Sequence, residues 1–413
     1  MIANTKATRT LSPLSQSLVI LAVFNIYIYS YYIILPYVNY MWQQTPDLNA
    51  FKVIISNVIV IIFYALISRL RGLYKTAYLI MLFFILMPCA AVYTNLALYF
   101  SDFIVIYFSL LFGVTSAYIF GRLKLPPVKI NVNFSSDIFT VFPILVIAYI
   151  VIAHFEQINP FLIFNLDQVY LVRSENSMSM FEGYMTRFST SILVPICIYL
   201  YFSSGRKWLL LPAFLLSFLN FSVFGMKIQF LIFFLFLYFS LMKFKYKKTD
   251  LFAIISFLIL VFSISFLMEP LGFHLLDRFL FLPGLLNISY IDFFSSHPLN
   301  WFEGSKLEIF FGGSNYREDA GFVIDEYFFG DGGMNANTGF IASLFAEIGF
   351  VSIVVATLLF NLLILVLAEI NKQVSGLGYL LCISLSFELM NAPITNVLLS
   401  NMFILIFFFP LFL

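Results

Sequence analysis

The stretch AYLIMLFFILMPCAAVYTNLAL, residues 77–98, decides the fold because none of its 22 side chains is charged. A helix needs about 20 apolar residues to cross the hydrocarbon core of a bilayer, whereas a transmembrane strand needs about 10 residues that alternate between apolar and polar. Residues 77–98 show no such alternation. The stretch therefore predicts a transmembrane α-helix.

The rest of the chain has the same character. Of its 413 residues, 62% are hydrophobic and 10% are charged, whereas a soluble domain carries about 25% charged residues. Backbone groups in hydrocarbon must hydrogen-bond within the protein, which leaves helices or a closed barrel. Because the apolar runs are unbroken, we predict an all-α polytopic membrane protein surrounded by the lipid bilayer. The net charge of +1 gives no reason to expect a nucleic-acid partner.

Twelve apolar runs predict about 12 transmembrane helices in a single integral membrane domain, 1–413. The tenth run is longer than one span needs and is interrupted by Gly349, so 339–348 is predicted to form a tilted or re-entrant helix. The three cysteines lie in apolar segments without a spacing typical of disulfides or metal sites. The runs lie near 17–38, 53–68, 77–98, 103–120, 138–153, 188–203, 208–224, 228–242, 251–268, 339–368, 376–391 and 397–413.

Basic residues predict the orientation of the chain. If the N-terminus is cytoplasmic, 15 of the 22 Lys and Arg residues fall in cytoplasmic segments, in agreement with the positive-inside rule. Both termini are then cytoplasmic. Two long loops, near 154–187 and 269–338, are then periplasmic.

All three histidines lie in these two loops, as do four arginines among the seven basic residues of the predicted outer side, whereas lysine dominates the predicted cytoplasmic side. The residues concerned are His154, His274, His297, Arg173, Arg187, Arg278 and Arg317. The guanidinium group is a rigid fork of donors that suits phosphate and carboxylate. We therefore predict recognition of an anionic head group at the outer face. A solvated loop with ion pairs stays open as an alternative, as does a membrane-anchoring role for Arg187.

The second loop begins with DRFLFLPGLLNISYIDFFSSHP, residues 277–298, which is apolar but carries charges. Charges in such surroundings are costly and usually paired, so they are candidates for function. They are Asp277, Arg278, Asp292 and His297. Asp277 and Arg278 can equally form a local ion pair, and His297 can either cap a helix end or move protons near neutral pH. Pro283–Gly284 is predicted to end one helix and to permit another.

The loop ends in NANTGFIASLFAEIGF, residues 335–350. Glu347 interrupts an apolar run there, so its carboxylate is expected to face the bundle interior and to find a partner such as an arginine. Asn335, Asn337 and Thr338 precede this run, where such side chains often cap a helix. Binding of sugar hydroxyls is the alternative for the two asparagines.

The two quoted stretches, together with two large outer loops that carry arginines, resemble the O-antigen polymerases, or oligosaccharide repeat-unit polymerases, of bacterial envelopes. The resemblance implies a multi-pass inner-membrane glycosyltransferase with a bundle like that of the GT-C enzymes. Such an enzyme moves a glycan from an undecaprenyl diphosphate carrier onto another lipid-linked repeat unit. It uses neither a metal nor another cofactor. A chain-length regulator and a flippase are the implied protein partners.

The resemblance also implies roles for individual residues. Arg278 and Arg173 are the first candidates for stabilising the departing diphosphate, with Arg187 and Arg317 as further contacts. The base that accepts the proton of the attacking hydroxyl is sought among Asp277, Asp292, His297 and Glu347. Tyr290, Asn335 and Asn337 are the candidates for binding sugar.

Two other functions stay open. An O-antigen ligase, which transfers the finished glycan to lipid A–core, shares the predicted span count, the carrier and the arginine-rich outer loops. A flippase for the lipid-linked oligosaccharide is expected to carry charges inside several spans. Glu347 and Glu388 are the main charges that interrupt the predicted spans, which disfavours the flippase and a secondary transporter.

Overall fold

The computed structural model describes residues 12–38, 46–123, 138–164, 169, 172, 178–303, 305, 307–311, 316, 318–329, 336–401 and 403–404. Within these residues the regular secondary structure is helical, and the one β-type pairing is an isolated bridge between Pro46 and Leu96. The all-α class predicted from the unbroken apolar runs is therefore confirmed for the described part of the chain.

Fifteen helices of six or more residues build the described fold. Their bounds are α1 Pro13–Val38, α2 Ala50–Ser68, α3 Gly72–Asn95, α4 Phe100–Phe120, α5 Ile138–Ala153, α6 Met180–Ser204, α7 Lys207–Phe224, α8 Lys227–Ser240, α9 Asp250–Leu267, α10 Leu271–Ser296, α11 Ala320–Phe329, α12 Phe340–Ile348, α13 Ser352–Gln373, α14 Leu377–Asn391 and α15 Ile394–Leu399. A short helix, Glu308–Phe311, precedes α11. One π-helical turn lies within each of α3, α6 and α10, namely Leu82–Leu86, Ser189–Leu193 and Asp277–Phe281.

Many of these helices suit a bilayer, which indicates a multi-pass membrane protein. Nine helical segments in the described residues are long and apolar enough to cross, or 10 if a pair bent by 81° around His154 counts as one span. This is fewer than the expected 12 or so. Two expected spans correspond to α8 and α14, of 14 and 15 residues, and most of 397–413 lies outside the described residues.

The helices define two ends of the bundle. At one end the Thr76 hydroxyl donates to Asp250 (2.6 Å), which also pairs with Lys243 (2.9 Å). We call this the lysine-rich end, because the helix ends there also carry Arg69, Arg71, Lys75, Arg122, Arg206, Lys207, Lys245, Lys247, Lys248 and Lys372. At the opposite end Lys52 of α2 donates to the Leu96 carbonyl that follows α3 (2.7 Å).

The sequence did not predict α10 as a single helix. The sequence predicted a break at Pro283–Gly284, and this is wrong because 271–296 is one continuous helix. The Leu282 amide closes the π-turn by donating to the Asp277 carbonyl. Pro283 then stands in the first turn of the segment that follows, where its missing amide hydrogen is tolerated. Gly284 permits close packing, since a Cβ there would lie 2.9 Å from the Pro88 carbonyl carbon of α3.

Both ends of α10 contact the opposite end of the bundle. Near its start, Phe273 packs on Tyr37 in the last turn of α1 and on Phe266 in the last turn of α9, with ring centroids 5.0 and 5.3 Å apart. Near its end, Asp292 interacts electrostatically with Asp102 in the first turn of α4. Although α10 is long and apolar enough to cross a bilayer, residues near both of its ends thus interact with the helix ends of α1, α9 and α4.

The expected break at Gly349 is confirmed. Gly349 has φ +59°, a conformation that favours glycine, and it separates α12 from α13. The rings of Phe340 and Phe360 lie 5.7 Å apart, whereas a straight helix would separate them by about 30 Å. Helix α12 therefore folds back along α13 at the opposite end of the bundle.

A buried polar network fixes the centre of the bundle. The Asn361 side chain of α13 accepts from the Tyr78 hydroxyl of α3 (2.9 Å). Its amide donates to the Gly113 carbonyl (2.9 Å) and the Ser116 hydroxyl (2.8 Å) of α4. Three helices are thus held in register by one side chain with satisfied partners.

Candidate functional site

A cavity of about 310 Å³ lies at the opposite end of the bundle. Its wall comes from the start of α6, the second half of α10, helix α12 and the irregular segments that precede α11, α12 and α15. Its charged and polar lining residues include Tyr184, Arg187, Tyr290, Asp319, Asn337, Thr338, Ser343, Glu347, Thr395, Asn396 and Ser400. Residues far apart in sequence therefore meet in one recess.

Four of the site residues predicted from the sequence line this cavity, namely Arg187, Tyr290, Asn337 and Glu347. Four further predicted residues, Asp277, Arg278, Asp292 and His297, are described but are not among its lining residues. The predictions for Arg173, Arg317 and Asn335 lie outside the described residues.

Glu347 enters the cavity from α12, and its carboxylate is held by amide groups. The backbone N–H of Phe302 donates to Oε2, and the Asn300 amide lies 3.4 and 3.5 Å from the two oxygens. The expectation that Glu347 pairs with an arginine is not met among the described residues. Trp301 and Phe302 have φ of 50° and 65°, values that are costly for bulky residues and that recur at functional sites.

Tyr290 and Asn337 are brought together by the segment that leads into α12. The Tyr290 hydroxyl donates to the Ala336 carbonyl (2.8 Å), which fixes this segment against α10. The N-cap of α12 is Gly339, without a side-chain capping bond. Capping of α12 is therefore not the role of Asn337 or Thr338, and both border the cavity instead.

Arg187 comes from the third turn of α6, and this helix begins with a capping box between Ser179 and Glu182. The arginine is exposed and lines the cavity. The π-turn Ser189–Leu193 follows directly, and such turns are frequent at functional sites. Arg187 also interacts electrostatically with Glu388 of α14.

Two of the histidines in the predicted outer loops, His154 and His297, have structural partners. His154 lies 2.7 Å from Glu182 and 2.6 Å from Gln157. His297 is the C-cap of α10, and its Nδ1 lies 2.9 Å from the Phe293 carbonyl, which can only accept. The capping interpretation of His297 is thus confirmed. Its ring stacks on Phe293 with centroids 4.0 Å apart.

Asp277 and Arg278 lie together in the π-turn of α10. Asp277 is buried and interacts electrostatically with both Arg278 and Tyr31, and the local ion pair stays a prediction. Arg278 precedes Tyr290 by 12 residues, which is about 18 Å along a helix. A direct catalytic role for Arg278 stays a prediction, independent of this cavity.

Several lining residues were missed by the sequence analysis. Asp319 accepts a hydrogen bond from the Gly321 amide (3.0 Å) at the start of α11. An Asp two residues before a glycine in REDAGF is a weak turn signal. Thr395 and Asn396 belong to a polar stretch, NAPITN, between two apolar runs. This stretch lies at the same end of the bundle as Arg187 and Glu347, which belong to the two long loops predicted from the sequence.

The chain matches no protein-family model, no curated protein and no solved structure. The resemblance to the O-antigen polymerases therefore rests on the sequence of residues 277–298 and 335–350. The cavity combines a guanidinium that can bind an oxyanion, two carboxylates that can accept a proton, and amide and hydroxyl groups that can bind sugar.

Proposed function

We propose that this chain is a membrane glycosyltransferase, an O-antigen or oligosaccharide repeat-unit polymerase. It transfers a glycan from an undecaprenyl diphosphate carrier to a sugar hydroxyl of another lipid-linked repeat unit. The observation that carries the proposal is the meeting of Arg187 and Glu347 in one cavity at the end opposite the lysine-rich end. The other support is the resemblance of 277–298 and 335–350 to this family.

The clustering of basic residues supports an orientation in the bacterial inner membrane. Cytoplasmic connections carry an excess of Lys and Arg, so the lysine-rich end faces the cytoplasm in this proposal. The cavity then opens at the periplasmic face. Its substrates are glycans already attached to a lipid carrier, for which no nucleotide-binding domain is needed.

The residues of the cavity suit the chemistry of the transfer. The oxygen of the acceptor hydroxyl forms a bond to the anomeric carbon of the donor sugar. The bond from that carbon to the diphosphate oxygen breaks, and its electron pair leaves with the diphosphate. Arg187 stabilises the charge that develops there, and the Glu347 carboxylate accepts the proton of the acceptor hydroxyl.

The donors around Glu347 match this role. Amide hydrogens from Phe302 and Asn300 orient the carboxylate without neutralising it. Tyr290 and Asn337 border the same space and offer hydrogen bonds to sugar hydroxyls. Asp319 is a second carboxylate in the wall, so it can contact a sugar hydroxyl or assist Glu347.

The position of the cavity disfavours a flippase. A flippase must expose its substrate site to both faces of the membrane in turn. Here Arg187, Asp319 and Glu347 border a cavity at one end of the bundle. The centre contains instead a satisfied network around Asn361.

Reconstitution of the purified chain in liposomes tests the proposal. The donor and acceptor are undecaprenyl diphosphate-linked repeat units, and lipid A–core is offered as a competing acceptor. A ladder of longer lipid-linked glycans is expected. Transfer to lipid A–core alone identifies the chain as a ligase. If neither product forms and the substrate moves between leaflets, the chain is a flippase and the enzyme proposal is refuted.

Deletion of the gene gives an independent readout in cells. Loss of a polymerase leaves lipopolysaccharide with a single repeat unit on the core. Loss of a ligase leaves bare core, with polymer stranded on its carrier. A gel of lipopolysaccharide from the deletion strain distinguishes these patterns, and an unchanged long-chain pattern contradicts the proposal.

A further inference from the structure

Glu388 of α14 lies behind the cavity wall and contacts two segments that form it. Its Oε1 accepts from the Ser191 hydroxyl of α6 (2.6 Å), and its Oε2 accepts from the Asn401 amide (2.9 Å). Ser191 follows Arg187 by four residues, a spacing that places both on one side of a helix. Asn401 directly follows Ser400, which lines the cavity.

The surroundings of Ser191 make this link rigid. The Ser384 hydroxyl of α14 donates to the Ser191 carbonyl (2.6 Å). Within the same π-turn, the Asn220 amide of α7 donates to the Ser189 hydroxyl (2.9 Å). The turn that follows Arg187 is therefore tied to two neighbouring helices by polar contacts.

A carboxylate in an apolar helix is costly unless it has partners. Glu388 has two hydrogen-bond donors and the nearby charge of Arg187. It is not among the lining residues, so it does not reach a ligand in the cavity. Its contacts instead join the part of α6 that carries Arg187 to the turn that carries Ser400.

We infer that Glu388 is a positioning residue, which holds Arg187 in the orientation that binds the diphosphate of the substrate. The inference rests on the proposed function and adds a residue to it. Binding of diphosphate therefore depends on Glu388 only as long as Arg187 is present.

The direction in which diphosphate affinity changes when Glu388 is replaced distinguishes a positioning role from a purely electrostatic one. Removing a negative charge beside an anion site strengthens anion binding if charge alone acts. Loss of positioning weakens binding. The probe is inorganic diphosphate, titrated calorimetrically into the full-length protein in detergent, with Glu388→Ala, Arg187→Ala and the double variant.

Coupled neighbours typically interact by amounts that change affinity about 3- to 100-fold. We expect Glu388→Ala to weaken diphosphate binding about tenfold in the wild-type background and less than about twofold in the Arg187→Ala background. Glu388→Gln keeps an oxygen that can accept from Ser191, so this variant is expected to recover part of the lost diphosphate affinity. Glu369→Ala is the matched control, since Glu369 pairs with Lys372 (2.5 Å) at the lysine-rich end.

Unchanged or tighter binding in Glu388→Ala overturns the inference, and so does an equal loss in both backgrounds. If Glu388→Ala fails to fold by size-exclusion chromatography, Ser191→Ala removes the hydrogen bond alone and is subject to the same criteria. Failure of the proposed function has a different signature. In that case the wild-type protein neither polymerises lipid-linked glycan nor binds diphosphate.

Discussion

Replacing Arg187 by alanine removes the guanidinium from the described part of the cavity wall. With Asp319 and Glu347 ionised, the formal charge of this wall changes from −1 to −2. The departing diphosphate then meets carboxylates without the cation that offsets them. The variant is therefore expected to slow the transfer step itself rather than to unfold the protein, because Arg187 is exposed.

The size of the effect follows from the charges. Opposite unit charges about 4 Å apart attract by about 4 kcal/mol at an effective dielectric constant of about 20. Since about 1.36 kcal/mol corresponds to a factor of ten, the loss is about 1,000-fold. Removal of one donor to a developing oxyanion costs about 100- to 1,000-fold in other enzymes. We expect kcat to fall within this range.

Arg187→Lys separates charge from geometry. Lysine keeps the positive charge but lacks the planar fork that binds two oxygens at once. Its kcat is expected to lie between those of the wild type and Arg187→Ala, about tenfold below the wild type.

The assay measures initial rates of polymer formation in liposomes that contain equal amounts of folded protein. Lys52→Ala is the matched control, because Lys52 lies at the same end but pairs with Asp47 (2.7 Å) outside the cavity. Wild-type kcat in Arg187→Ala refutes the reasoning. If Arg278→Ala abolishes turnover while Arg187→Ala does not, the diphosphate site lies at the π-turn of α10 instead.

Three further predictions concern the base, the fold and the orientation. Glu347→Gln keeps the shape of the side chain but cannot accept the proton, so turnover should fall about 100- to 10,000-fold. Diphosphate affinity measured by calorimetry should not weaken, because the substitution removes a negative charge from the cavity. Wild-type turnover would remove Glu347 as the base. Asn361→Ala deletes three buried hydrogen bonds. The free energy of unfolding, measured by denaturant titration, should therefore fall by about 2–4 kcal/mol. An unchanged unfolding midpoint would contradict the role of the network. Ile309 is 91% exposed, so the cysteine of Ile309→Cys should react with an impermeant maleimide added outside spheroplasts. The cysteine of Lys248→Cys should react only after permeabilisation. The reverse pattern would show that the proposed orientation in the membrane is inverted.

The membrane-spanning helices were predictable because one physical requirement governs each of them. A run such as 77–98 must satisfy its backbone hydrogen bonds within itself in lipid, and α3 forms there. Gly349 was predictable as a break for a similarly local reason, since its φ of +59° favours glycine. The course of α10 was not predictable, because Pro and Gly usually signal a break, whereas here Pro283 follows a π-turn at Asp277–Phe281 and the helix continues.

The candidate site was predictable in part. Glu347 was identified because a carboxylate in an apolar run needs a local explanation, and Arg187 because it is one of the arginines of the two predicted outer loops. Their meeting depends on the folding back of α12 and on contacts with α10, which no local pattern encodes. Asp319 was missed for the same reason, since only the assembled wall gives it a neighbour in Glu347.

The place of the cavity follows from the way α10 and α12 fill one end of the bundle. Irregular backbone at membrane depth is tolerated only where protein or a water-filled cavity surrounds it. The irregular segments 300–303 and 336–339 meet this condition by packing on α12 and α10. Arg187 and Glu347 both border the cavity that these segments help to enclose. The packing of α10 and α12 therefore creates, by the same contacts, the polar recess in which Arg187 and Glu347 meet.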